Sequence, residues 1–203
     1  MTEQDMTLEG LAGALEHTRA LVAAVPPKAA HAPTPCPPWD VEKLVEHLVQ
    51  DLRHFTSIAS GEEWDPSRAD QAGGGGAAAY ERAAGALVEA WRGGGVEGRT
   101  LQTRIGEVPA TWAIGQHTAD VIVHGWDIAV ATGQQPSFDS AVMLEALEWA
   151  KQNLRPEFRG GAESGKSFGP EVEVADEAPP LDRLVGFFGR DPAWRPPGQP
   201  AAG

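Results

Sequence analysis

Apolar residues recur at helical spacing at Leu8, Leu11, Leu15, Leu21 or Val22, and Val25, which predicts a first helix that Pro26 and Pro27 end. A proline-rich connection, "PPKAAHAPTPCPPW", follows. Asp40 is then placed to cap a second helix in which Val41, Leu44, Val45, Leu48, Leu52 and Phe55 share one apolar face. The run "ADQAGGGGAAA" is too rich in glycine to order itself and is predicted to be a mobile loop. It leads into a third helix carrying Tyr80, Ala84, Leu87, Val88 and Trp91, stopped by "RGGG". Residues 100–109, "TLQTRIGEVP", alternate as a short extended piece or hairpin would, with Gly106 and Pro109 as turn residues. A fourth helix is predicted from Ala110 to Thr132, stopped by Gly133, and a fifth from Ser137 as cap through Met143, Leu147, Ala150 and Leu154. The tail holds one short helix near Leu181 to Phe188, and its Pro- and Gly-rich end, 191–203, is expected to be disordered. No internal repeat or second domain is visible, so residues 1–190 are read as a single all-α bundle domain with an extra short helix and an extended C-terminal segment.

Composition narrows the partners. With 203 residues and 41% hydrophobic content, the chain can bury a core of its own. A formal charge of -13 repels phosphate backbones and anionic lipid, and no local basic patch offsets it, so nucleic-acid and membrane partners are not expected. No segment approaches a membrane span or a secretory leader, and a cytoplasmic location is expected. The single cysteine, Cys36, has no partner thiol for a disulfide or a paired-thiol zinc motif, and is read as inert in a rigid proline loop. A bundle with apolar edges is also able to pair as a homodimer.

One stretch resists a purely structural reading. "HTADVIVHGWD", residues 117–127, sets His117, Asp120, His124 and Asp127 at spacings of three, four and three inside a run otherwise fit for a core. On an α-helix these four polar groups span only about 80° of the circumference. On the second helix His47, Asp51 and His54 fall on one flank of the apolar face. An i, i+4 pair on one helix supplies two adjacent corners of a metal site, and a facing helix can complete it, which suits Asp120, His124 and His47. A His beside an apolar stripe is, however, more often a hydrogen-bonded boundary residue than a ligand. His117 and His54 read as residues behind the ligands or on the surface. Asp127 reads as a surface ion pair or as a carboxylate orienting a histidine. Trp39, Trp112, Trp126 and Trp149 read as core or pocket wall.

Three segments carry a family resemblance. "TPCPPWDVEKLVEHLVQDLRHF", Thr34 to Phe55, resembles the second-helix signature of DinB-like bundles of the mycothiol-dependent maleylpyruvate isomerase N-terminal type, where a Pro-x-Trp turn precedes a metal-binding His. "ADVIVHGWDIAVATGQ", Ala119 to Gln134, is similar to the group's second signature, an acid, three residues and a His, followed by Trp-Asp and an Ala-Thr-Gly stop. "FGPEVEVADEAPPLDRLVGFFGRDPAW", Phe168 to Trp194, resembles the closing segment of an actinobacterial subfamily. The resemblance implies an antiparallel four-helix bundle holding a divalent metal on His47, Asp120 and His124. Asp120 departs from it, since the isomerase has Glu there, and the carboxylate arm is shorter.

Three N/O ligands leave a coordination position open, which is the catalytic pattern; zinc is the first expectation, with nickel and iron as alternatives. Members of the resembled group act on low-molecular-weight thiols such as mycothiol. The implied activity is therefore a metal-dependent thiol S-transferase or isomerase, in which the metal activates a thiol or water for attack on a small electrophile. Asp127 would orient an imidazole, Asp51 or His54 would relay a proton, and Arg183 or Arg190 would meet a substrate carboxylate. The tail is shorter than the isomerase's separate C-terminal domain, which points away from maleylpyruvate itself. Two alternatives stand beside this reading: a non-catalytic metal-binding or ligand-sensing bundle, and a metal-independent pocket protein of the same fold.

Overall fold

The structure is a computed structural model of the chain and describes residues 7–62, 64, 75–96, 98–103, 106–160 and 168–197. Helix α1 (Leu8–Ala23) starts where the Thr7 hydroxyl accepts the Gly10 N–H, and α2 (Val41–Ser60) where the Asp40 carboxylate accepts the Lys43 N–H. Each cap satisfies a donor that the first helical turn leaves unpaired. Helix α2 ends at Gly61 in the left-handed conformation, which costs glycine nothing. Helix α3 (Ala77–Gly94) follows, then strands β1 (Thr100–Thr103) and β2 (Gly106–Pro109), an antiparallel pair that turns Leu101 and Val108 inward. Helix α4 runs Ala110–Thr132, α5 Ser140–Asn153 and α6 Pro180–Phe187.

Most of these boundaries agree with the spacing of apolar residues and stop signals. One cap does not: α5 is capped by Asp139, whose carboxylate accepts the N–H groups of Ala141 and Val142. Ser137 instead donates its backbone N–H to His17 Nε2 at 2.9 Å. Residues 191–197 form a turn in which the Trp194 N–H bonds the Asp191 carbonyl, and the Trp194 ring packs on the core. Residues 198–203, and most of the glycine-rich run expected to be mobile, lie outside the described residues.

Helices α1, α2, α3 and α4 form the bundle: α1 and α2 each pack against both α3 and α4, while α5 covers α4 and α6 covers α5. Helices α2 and α4 are antiparallel, because His47 meets His124 at one end and Phe55 meets His117 at the other. Enclosed on several sides, α4 is buried over nearly its whole length, from Ala113 to Ala131. None of the described helices is long and apolar enough to cross a membrane.

Close approach to α4 depends on two glycines, Gly115 under the Trp149 ring and Gly125 against α1. A Cβ at Gly125 would lie 2.6 Å from Thr18 Oγ1 and 2.7 Å from Phe138 Cζ. Both neighbours are buried, so neither has room to withdraw. Gly125→Ala is therefore expected to cost about 1–3 kcal/mol despite alanine's better helix propensity. Calorimetry should show the midpoint falling by about 2–4 °C per kcal/mol; an unchanged or raised midpoint would contradict this packing.

Candidate metal centre

The polar stripes of α2 and α4 face each other across the bundle. The rings of His47 and His124 lie 5.2 Å apart, centre to centre, and perpendicular. Trp39 covers them from the loop before α2, its ring 4.2 Å from His47 and 6.2 Å from His124. His47 Nε2 lies 3.1 Å from Asp51 Oδ2. Burial drives the His47 imidazole towards its neutral form, with a pKa down at about 4, and a charge on His124 or Arg190 would disfavour protonation further. Asp120 is half-buried on the same α4 stripe. Burial, reinforced by the Asp51 charge, raises its carboxyl to about 8. Burial and the Asp51 charge thus favour its protonated form, with the Arg190 charge pulling the other way.

His124 is fixed by a buried carboxylate. Its Nδ1 lies 3.0 Å from Asp127 Oδ2, and Asp127 is fully buried. Arg190, arriving from the segment after α6, closes a two-pronged bond on the same carboxylate, Nη2 to Oδ2 at 3.0 Å and Nε to Oδ1 at 3.3 Å. Burial alone would raise the Asp127 pKa, but the Arg190 charge and the His124 bond outweigh it and hold the carboxyl below its usual range. Asp127 thus keeps a hydrogen on Nδ1 of His124 and leaves Nε2 as the electron-pair donor, the orienting role seen behind metal-binding histidines.

The structure adds a residue that sequence reasoning set aside. Cys36 offers its Sγ to a group with His124 and Asp127 in which one ligand atom from each lies within 4.8 Å of the others. The group contains neither His47 nor Asp120. The loop Pro33–Asp40 presents the thiol: Thr34 Oγ1 accepts the Cys36 N–H and donates to the Trp39 carbonyl, while the Trp39 N–H bonds the Cys36 carbonyl. Burial pushes the thiol up to about 11, with Arg190 pulling weakly the other way, so it is protonated when no cation is near. The neighbours of Cys36 come from α4 and the tail, far away in sequence, so the chain alone does not show them. The one local signal is its position four residues before Asp40, the cap of α2.

The remaining site residues fall in different places. Asp51 sits between His47 and Asp120, within reach of both by bond or charge. His54 lies beside Trp64, 5.2 Å ring to ring, and its charge is felt by His117. His117 is not on the surface: it is 1% exposed, stacked on Phe55 at 4.0 Å, with neither ring nitrogen hydrogen-bonded to any of the described residues. Arg190 is 8% exposed, and its bonds to Asp127 and the Phe188 carbonyl turn it inward, so the structure gives it a bracing position instead of a place at a substrate carboxylate. Arg183 lines a small cleft with Glu171 and Asp176, on the side of the tail helix.

Residues 11–129 match a known family model, that of the mycothiol maleylpyruvate isomerase N-terminal domain. The chain belongs to this family. The matched span includes Cys36 and all seven residues of the two stripes but stops short of Arg190. Uncharacterized proteins from two Mycobacterium tuberculosis strains, CDC 1551 and H37Rv, are each 36% identical to the chain over 171 residues, covering 84% of it and 90% of their own length. No solved structure matches. Among the described residues, donors of a kind that suits a divalent metal are present as two facing imidazoles, one of them already oriented, and a thiol in a separate group with His124 and Asp127.

Two outcomes test this electrostatic description. Removing either partner of the buried Asp127–Arg190 pair strands the other charge, so Asp127→Asn and Arg190→Met should each cost about 3–5 kcal/mol. The double variant should lose clearly less than the sum in urea titrations, and additive losses would show that the two do not interact. His117 should shape the acid limb of stability. Burial holds its pKa at about 3, so between that value and the unfolded value of about 6.5 the unfolded chain binds one proton more than the native chain. Stability therefore rises with pH across that window. In His117→Phe, which keeps a ring on Phe55, the slope should fall by about 1.4 kcal/mol per pH unit; an unchanged slope would mean that the imidazole is solvated.

Proposed function

We propose that the chain is a divalent-metal-dependent thiol S-transferase or isomerase acting on a small electrophile, with His47, Asp120 and His124 as the metal ligands. The observation that supports this best is the pairing of His47 and His124. Two imidazoles bound to one tetrahedral ion at about 2.0–2.1 Å per bond have ring centres about 5 Å apart, and the observed separation is 5.2 Å. The family's name supplies the thiol class, mycothiol. The cytoplasm, where such thiols are kept reduced, is the proposed location.

When bound, a zinc, nickel or iron ion would supply a positive charge that turns a thiol into its thiolate near neutral pH. The chain's own residues do the rest. Asp127 fixes the His124 ring so that Nε2 points to the site, and Arg190 fixes Asp127. Trp39 roofs the two histidines and limits water there. Asp51 Oδ2, beside His47 Nε2, is placed to take the proton that an arriving thiol gives up. A second reading, a metal-binding bundle without turnover, draws support from Cys36, a further donor that would help fill the coordination shell.

Elemental analysis of tag-free protein should find bound zinc, nickel or iron in the parent chain, and its loss in the triple variant His47→Ala, Asp120→Ala, His124→Ala with helical circular dichroism preserved. Metal-dependent consumption of a low-molecular-weight thiol with an electrophile panel would then support the enzyme. Metal removal that unfolds the protein, with no turnover in the loaded state, would favour the non-catalytic reading. A parent chain that takes up none of these ions would overturn both.

A further inference from the structure

We propose that the groove between α1 and α5 is a second binding site, separate from the polar seam, which takes a small organic cation: an ammonium group carried on an apolar body. This site is independent of the metal reading above. Helices α1 and α5 both lie on α4. The space between them holds a cavity of about 480 Å³, inside the range of about 300–1,000 Å³ usual for small-molecule sites. Fully buried Ile122 closes it towards α4. Ile122 lies about 160° round that helix from His124, so the groove opens on the side of α4 away from the facing histidines.

The cavity exists because α1 withholds side chains there. Gly10, Gly13, Ala14 and His17 fall on one helical face, and all four line the groove. A Cβ at Gly10 would touch Val142 at 3.4 Å, so the two helices meet at that end. About one turn further, a Cβ at Gly13 would meet nothing within 4 Å, and the walls part. Ala14, Ile122, Phe138 and Val142 give the interior its apolar surface.

The ionised groups around it carry one sign. Glu9 of α1 and Glu145 of α5 line opposite walls, and neither carboxylate has a hydrogen-bond or ion-pair partner among the described residues. The third acid, Asp139, is committed to capping α5. No lysine or arginine lines the groove. His17 adds no positive charge, because its Nε2 accepts the Ser137 N–H at 2.9 Å and so carries no proton, and burial favours its neutral form. An entering anion would face like charge from both walls, whereas an ammonium group would meet two carboxylates that no internal cation already occupies. Phe138, edge-on to His17 at 4.6 Å between ring centres, supplies an aromatic wall for the apolar body and for the cation.

Backbone-amide NMR titrations of the full chain with phenylethylammonium, hexylammonium and choline test this, with phenylethanol and phenylpropanoate as the neutral and anionic counterparts. Saturable shifts centred on Gly10, Gly13 and Val142 are expected with the cations, and clearly weaker binding with the other two compounds. Glu9→Gln and Glu145→Gln should each weaken cation binding about two- to fivefold, the range of an exposed charge pair. Gly13→Leu fills open space and improves helix propensity, so it should leave helical circular dichroism unchanged while abolishing binding. No saturable shift with any of these cations would overturn the site, as would binding that survives Gly13→Leu. Equal affinity for phenylethanol, or for the parent and both glutamine variants, would overturn the cationic class of the ligand.

Discussion

Burying α4 on nearly all sides is the constraint from which the site follows. A helix enclosed in this way has no water to satisfy its polar side chains, so each must find a partner within the protein or remain costly. The sequence places His117, Asp120, His124 and Asp127 on that helix, and α2 brings His47, Asp51 and His54 opposite them in reverse order. Counting from the two ends, His47 pairs with His124, Asp51 with Asp120 and His54 with His117, as the ring separation at one end and the mutual charge effects further along indicate. The stripe is thus a polar seam between two helices whose other faces are apolar core.

The seam is held differently along its length. At the His124 end, Asp127 is neutralised by Arg190 and the result is a fixed charge pair that orients an imidazole. At the His117 end no group among the described residues meets either ring nitrogen, and the ring rests on Phe55 as an apolar disc would. A buried pair of this kind contributes little net stability compared with an apolar replacement, but it fixes geometry, because any slip of the tail strands a charge. Arg190 therefore ties the segment after α6 to the centre of the bundle.

Much of this was legible in the chain. Amphipathic spacing and stop residues located the bundle helices, since α4 ends at Gly133 and α2 begins at Asp40 for local chemical reasons. The cap of α5 was misplaced because Ser137 and Asp139 are both good caps, and only the His17 contact decides between them. The orienting role of Asp127 was readable as one option, three residues beyond His124. The burial of His117, the inward turn of Arg190 and the approach of Cys36 to His124 were not readable, because each depends on which distant element packs against it.

The Glu-to-Asp departure at position 120 makes sense beside Asp51. A shorter arm keeps the Asp120 carboxyl close to α4, and the charge of Asp51 across the seam acts with burial to keep a proton on it. Two carboxylates so placed cannot both ionise cheaply without a cation between or beside them. A divalent ion would supply that cation, and its arrival would release the proton that Asp120 otherwise retains. Under the proposed function, metal and proton would compete for the same carboxylate. The rest of the seam would then favour the metal, since burial already drives His47 towards its neutral form and Asp127 holds Nδ1 of His124. The acids and imidazoles that the stripe carries in place of apolar core would, on that reading, be offset by the ion they receive.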